Sequence, residues 1–377
     1  MKFVSEKKNK SVYKTYLVYF IALLSFVCVR IMSSIGIFSS LSNNSIDIIY
    51  SSIIELGCLF LIPLLLYCLF LKQKPKQVFK TCNFYKMSFM TILYSIILGF
   101  FIYFLTIVLS TFFNGILAIL GYNSGSSSST GEVTLLTYII QIFTTAILPA
   151  FCEEFLHRGI LLQGTKHIGF HKSIFISSVL FGLIHLNITQ VFYAAILGFI
   201  MGYASVVAKN IWPAIIVHFM NNFISVTNSY LISTNTAYRN FMNGIYAGMG
   251  NMSFIILVLI LSFGLLILIA IIYLLLNRLY YHGMIKKVEN AVSKVYAPNG
   301  EAMTSSPIET RQEEYKYLLE NTTTLNLDFN TIKNPIEILM PKQDKIYRQT
   351  YKDKIFLKSS IILGVVITIF TFVWGVM

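Results

Sequence analysis

Two adjacent glutamates with an arginine four positions further on form the first arrangement of residues able to carry out chemistry. Glu153, Glu154 and Arg158 lie in an otherwise apolar stretch. Residues four apart lie on the same side of an α-helix, so Arg158 is placed to pair with Glu154. Glu153 lies about 100° around the helix from Glu154, so its carboxylate is predicted to stay free and to act as a general base. A salt-bridged helix end at a membrane interface is an equally good interpretation of this motif alone.

Two later motifs each contain a histidine. His185 follows Phe181 by four positions, and a single histidine in an apolar segment is more often a packing residue than a catalyst. His218 and Asn222 are also four apart, so both side chains would project from one helix face. There they could both donate hydrogen bonds to an oxyanion that develops during a reaction.

These groups are predicted to lie at similar depths on three separate helices. Glu153, His185 and His218 are 13, 13 and nine positions from the nearest lysine along the chain. At 1.5 Å per residue, these spacings place them roughly 13–20 Å from the ends that carry the lysines. The agreement favours a single site over three unrelated polar residues.

The composition requires that these helices lie in a membrane. Hydrophobic residues make up 56% of the 377 residues and charged residues only 12%, whereas a soluble domain has roughly a quarter charged residues. The mean hydropathy is +0.70. An ordinary soluble protein is therefore excluded, and an all-α, polytopic transmembrane bundle is predicted.

Nine apolar segments are candidate spans, judged against the roughly 20 residues that a bilayer core requires. The third is long enough to be tilted or broken, and the fifth is short and would need shelter inside a bundle. The segments are 14–35, 47–71, 88–120, 133–163, 173–187, 190–208, 211–231, 252–277 and 356–377.

The basic residues predict the orientation of these spans. Nearly every Lys and Arg falls between spans on the side of the N-terminus, whereas Arg239 is the one basic residue in the opposite loops. By the positive-inside rule the N-terminus is inside and the C-terminus outside. The net charge of +13 is then explained without nucleic acid, and a multi-pass protein of the plasma membrane is predicted.

The same pattern divides the chain into five parts. Two N-terminal transmembrane helices (1–84) precede a core (85–231), an outer loop with the eighth helix (232–280), a polar cytoplasmic insert (281–355) and a last helix (356–377). A serine-rich outer linker is predicted at 124–130, and a short helix is predicted to begin at Ser306 within the insert.

Taken together, the three motifs resemble those of the CPBP family of intramembrane proteases. This family includes the type II CAAX prenyl endopeptidases and bacterial relatives linked to bacteriocin immunity. Its pattern is Glu-Glu-x-x-x-Arg, then Phe-x-x-x-His, then His-x-x-x-Asn, and the resemblance covers about 85–231. The matching residues are Glu153, Glu154, Arg158, Phe181, His185, His218 and Asn222.

The resemblance implies a glutamate-dependent endopeptidase with no metal cofactor. Glu153 would be the general base that activates water, helped by His185. His218 and Asn222 would form the oxyanion hole, and Glu154 and Arg158 would support the site. The substrate is expected to be a membrane-associated peptide or protein on the cytoplasmic side.

Other interpretations stay open at this point. Glu153, His185 and His218 are possible zinc ligands, although the His-Glu-x-x-His motif is absent. Buried acids and histidines also occur in proton-coupled transporters, and the same fold is compatible with a non-catalytic immunity or scaffold protein. Glu55 stands alone in the second span, where a role in helix packing or at the interface is at least as well supported as a site.

Overall fold

The computed structural model describes residues 2–37, 43–122, 133–285, 349 and 351–376. Within these ranges the chain is helical and contains no β-strand. The predicted all-α class is therefore confirmed. The serine-rich linker, the helix start at Ser306 and most of the polar insert lie outside the described residues.

The α-helices follow one another along the chain with short connections. Their bounds are α1 Lys2–Ser34, α2 Asn43–Ser52, α3 Ile62–Leu71, α4 Pro75–Thr81, α5 Phe89–Ile119, α6 Leu135–Gln141, α7 Leu148–Glu154, α8 Leu162–Thr165, α9 Phe170–Leu183, α10 Ile188–Val207, α11 Trp212–Thr234, α12 Thr236–Gly250, α13 Phe254–Tyr280 and α14 Tyr351–Val376.

Wider, π-helical turns join several of these helices into continuous rods. Segment π1 (Ile53–Leu61) joins α2 to α3, π2 (Ile142–Ile147) joins α6 to α7, and π3 (Phe155–Leu161) joins α7 to α8. Pro149 lies in the first turn of α7, directly after π2. Since π-helical turns are rare and frequently mark functional sites, their concentration around α7 draws attention to that region.

Seven helical stretches of the described chain are long and apolar enough to cross a membrane, and they coincide with seven of the nine predicted spans. The other two predicted spans correspond to α9, which has only 14 residues, and α11, which carries several polar side chains. The third span, predicted to be tilted or broken, is not broken, because α5 is one uninterrupted helix of 31 residues. The total of nine spans, the orientation and the five-part division of the chain stay predictions.

Small residues allow the central helices to pack closely. The most extensive contacts join α9 to α10, α5 to α11, α5 to α13 and α1 to α14. A Cβ atom at Gly182 would lie 2.5 Å from the carbonyl oxygen of Val191, so the approach of α9 to α10 requires glycine there. Such small-residue contacts are typical of helix packing in membranes.

The helix ends that bear the lysines gather at one end of the bundle. Lys14 donates a hydrogen bond to the carbonyl of Phe70, and the backbone N–H of Ile211 donates to the carbonyl of Asn83. At the opposite end, the N–H of Ile188 donates to the hydroxyl of Thr371. The bundle therefore has a lysine-bearing end and an opposite, far end, where α10 begins beside Thr371.

Candidate active site

The predicted site residues come from three neighbouring segments. Glu153 and Glu154 end α7, and Arg158 lies one turn later in π3. His185 follows the last turn of α9, and α11 carries both His218 and Asn222. Helix α11 packs against α7, and π3 packs against α9.

Glu154 is the centre of a fully buried polar network. Its Oε1 accepts hydrogen bonds from Arg158 Nη1 at 2.8 Å and from His218 Nδ1 at 3.0 Å. Arg158 Nη2 donates to the carbonyl of Gly198 at 2.8 Å. Arg158 therefore pairs with Glu154 as the four-residue spacing predicts. Breaking such a buried pair leaves an uncompensated charge, which is strongly destabilising.

The ring of Phe181 holds this network against the histidines. The Arg158 guanidinium lies 4.4 Å from the ring centroid. The rings of His157, His185 and His218 approach the same ring edge-on, with centroid distances of 5.1, 5.3 and 5.6 Å. Phe181 therefore contacts motif residues from all three segments through cation–π and edge-to-face interactions, which fix their relative positions.

Glu153 has a different environment from Glu154. It is only 9% exposed, and none of the ion pairs among the described residues includes it. The Oε2 atoms of both glutamates lack a hydrogen-bond partner there, but only Glu154 is bound through its Oε1 atom. A buried polar atom without a partner is uncommon and calls for an explanation such as a catalytic role or an unseen water. The free carboxylate predicted for Glu153 is therefore present in the fold.

Glu153 and His185 share the wall of one cavity of about 230 Å³. His185 Nδ1 donates to the carbonyl of Phe181 at 2.9 Å. Because a carbonyl oxygen only accepts hydrogen bonds, Nδ1 must carry a proton. In the neutral ring Nε2 is then the nitrogen that can accept one. The remaining lining residues are Phe26, Arg30, Tyr50, Ser51, Ile54, Glu55, Leu59, Ile184 and Gln190.

The residues predicted to form the oxyanion hole do not line this cavity. His218 uses Nδ1 to bind Glu154, and Asn222 donates from Nδ2 to the carbonyl of Thr145 at 2.9 Å. Asn222 Oδ1 accepts a hydrogen bond from Asn221. The spacing of four residues places both side chains on the face of α11 that meets α7, but α7 and π2 present acceptors there that engage them.

The exposed part of the cavity wall includes the end of α1. The most exposed lining residue is Arg30, near the end of α1, and two others are partly exposed: Tyr50 near the end of α2 and Gln190 in the first turn of α10. Access from the lysine-bearing side stays a prediction. The bilayer core is about 30 Å thick, so a site roughly 20 Å from the lysines lies beyond its middle.

Glu55 is the lining residue whose place in the site was missed by the sequence analysis. Its side chain is 7% exposed, and Oε2 has no hydrogen-bond partner among the described residues. It lies in π1, which packs against α7. The available signal was an ionisable residue within an apolar span, which is costly and marks function by default.

The residues considered as zinc ligands are not brought together. Among the described residues, no group of three or more His, Cys, Asp or Glu side chains is arranged to hold a metal ion. Glu153 and His185 face the cavity, whereas His218 binds Glu154 outside it.

Comparison with known proteins gives one family match. Residues 135–224 match the family model of the type II CAAX prenyl endopeptidase Rce1-like proteins. This segment contains all three motifs, so the resemblance to the CPBP family is confirmed over it, whereas Arg30 and Glu55 lie outside it. No curated protein and no solved structure matches the chain.

Proposed function

We propose that this protein is an intramembrane endopeptidase that hydrolyses peptide bonds of membrane-associated peptides or proteins with water activated by Glu153. The matched segment belongs to a family of membrane proteases. The observation that carries the proposal is the contrast between the paired Glu154 and the unpaired Glu153 on the cavity wall.

The first chemical step is proton transfer from water to Glu153. The carboxylate takes a proton from a water molecule in the cavity, and the remaining hydroxide adds to the carbonyl carbon of the substrate. His185 supports this step with Nε2, because Nδ1 is committed to the carbonyl of Phe181. A positioned general base of this kind contributes roughly 10²–10⁴-fold to the rate.

The tetrahedral intermediate needs hydrogen-bond donors for its oxygen. We assign this role to His218 and Asn222, which lie on one face of α11 next to the glutamates. Asn222 would have to exchange the carbonyl of Thr145 for the substrate oxygen. Catalytic hydrogen bonds are often long or misaligned before substrate binds, so this role requires that substrate binding bring the two donors to the reacting carbonyl.

Arg158 and Glu154 act as positioning residues in this account. Arg158 neutralises Glu154 and is held by Gly198 and Phe181, while Glu154 orients the His218 ring. Neither needs to touch the substrate.

The substrate would reach the cavity past Arg30 and Gln190, which line the exposed part of its wall. No metal cofactor is included in the mechanism, since Glu153 itself activates the water.

A comparison of membrane peptides tests the proposal in cells. Cells that produce the native protein and cells that produce Glu153→Gln are compared by mass spectrometry of their membrane fractions. We expect precursors to accumulate in the mutant and cleaved products to be present only with the native protein. Identical peptide profiles at equal protein levels would contradict the proposal and favour a scaffold or a transporter.

A further inference from the structure

Glu55 is a buried acid that the mechanism above does not use. It forms no hydrogen bond or ion pair with any side chain in the described parts of the chain, and its Oε2 atom is fully enclosed. An ionised carboxylate without a partner in a membrane core is costly. Retaining a glutamate here therefore requires a compensating role.

The position of Glu55 connects it to Glu153. Both carboxylates line the same cavity of about 230 Å³, and they interact electrostatically. Arg30 also lines this cavity, and its Nη1 donates a hydrogen bond to the backbone carbonyl of His185 at 3.4 Å. Glu55 is thus next to the proposed general base and is not neutralised by a protein cation in the described ranges.

Two carboxyl groups on the wall of one cavity can hold different protonation states. Like charges held close together disfavour simultaneous ionisation, so one carboxylate keeps a proton while the other is ionised. Peptide hydrolysis needs both forms, a base for the attacking water and an acid for the departing nitrogen.

We propose that Glu55 is a further catalytic residue, the general acid that protonates the leaving nitrogen. The inference rests on the proposed peptidase function. It also concerns a residue outside the segment that matches the protease family.

The protons balance over one turnover. Glu153 takes one proton from water, and the hydroxide oxygen bonds to the carbonyl carbon. The carbon–nitrogen bond then breaks as the carboxyl group of Glu55 gives its proton to the nitrogen, which leaves as an amine. Glu153 is now protonated and Glu55 is ionised. Transfer of the proton from Glu153 to Glu55 across the shared cavity restores the starting state.

A change of leaving group tests this role directly. The purified protein in proteoliposomes is given two versions of one membrane-soluble reporter peptide, identified as a substrate by the native protein. One has the ordinary scissile amide, and the other has sulfur in place of the scissile NH. A thiolate departs without prior protonation because an ordinary thiol has a pKa of about 8.5, whereas an amide nitrogen does not.

We expect Glu55→Gln to lower kcat for the amide by roughly 10²–10³-fold and to leave the thioester within a few-fold of the native rate. Glu55→Asp should recover part of the amide activity, because it keeps an acid. Glu153→Gln should slow both substrates. Thr368→Val is the matched control, because it removes another buried, unpartnered polar atom in the described region, far along the chain in α14, and should change neither rate.

Equal slowing of both substrates by Glu55→Gln, with the folded state retained by gel filtration, would overturn the general-acid role. So would a full amide rate in that variant. If the native protein hydrolyses neither substrate, the peptidase function itself fails, and the role of Glu55 fails with it.

Discussion

Glu153 and Glu154 are neighbours in the chain, yet they have opposite surroundings. Glu154 is held by Arg158 and His218, with all of its neutralising charge supplied by the protein. Glu153 faces a cavity that it shares with Glu55. The Oε2 atoms of all three glutamates are enclosed without a partner among the described residues, but only Glu154 has its other oxygen bound by protein side chains. The comparison shows that side chains of the protein bind the carboxylate of Glu154, whereas the carboxyl groups of Glu153 and Glu55 face a cavity that can hold water or substrate.

The difference comes from helix geometry. Arg158 is four residues after Glu154 but five after Glu153, so only Glu154 lies on its face of the helix. Helix α11 then adds His218 to the same face. The same side chain is thereby paired at one position and unpaired at the next, where we propose that it is catalytic.

The largest effect is expected from removing the charge that completes Glu154. Arg158→Ala leaves a buried carboxylate unpaired, which costs about 3–5 kcal/mol of stability, and activity should fall with it. Thermal unfolding in detergent, followed beside Arg158→Lys as the charge-keeping control, measures the loss. An Arg158→Ala protein as stable as the native one would mean that the network is not structural.

Asn222→Ala should separate catalysis from stability. The variant loses the hydrogen bond to Thr145 in either case, which costs about 1 kcal/mol of stability. If Asn222 also donates to the oxyanion, the rate of the folded protein falls roughly 10²–10³-fold, the usual effect of losing one such donor. If its only role is the bond to Thr145, the folded fraction keeps its full rate. Steady-state kinetics and thermal unfolding on the same sample decide between the two.

Gly182→Ala tests the helix packing that positions His185. The added Cβ would clash with the Val191 carbonyl, and overpacking of this kind costs typically about 1–3 kcal/mol. Gly244→Ala is the matched control, because nothing lies within 4 Å of its Cβ position. Equal unfolding temperatures for the two variants would show that α9 and α10 can move apart without loss of stability.

The smallest effect on activity is expected from labelling substitutions that report the orientation. In a background without the native cysteines, Ser127→Cys should react with an impermeant maleimide in intact cells and Gly300→Cys should not. The reverse pattern would place the end of α1, which bears Arg30 on the cavity wall, on the cytoplasmic side.

Local spacing predicted much of the site from the sequence. The pairing of Arg158 with Glu154 follows from one turn of helix, and the apolar runs predict the seven long helical stretches. The absence of an ion pair at Glu153 among the described residues follows from the same helix geometry.

Features that depend on contacts between distant segments were not predictable in this way. Glu55 and Glu153 are nearly a hundred positions apart, and no local pattern indicates that π1 packs against α7. The engagement of Asn222 by Thr145 likewise depends on how α11 meets π2.

The most direct test of the central claim is the peptidase rate of purified protein after prolonged treatment with phenanthroline or EDTA, measured beside Glu153→Gln. We predict that the chelated native protein keeps its activity and carries no stoichiometric zinc by elemental analysis, whereas Glu153→Gln is folded and inactive. Activity that is lost on chelation and restored specifically by added zinc would contradict this account and would make Glu153, His185 and His218 metal ligands.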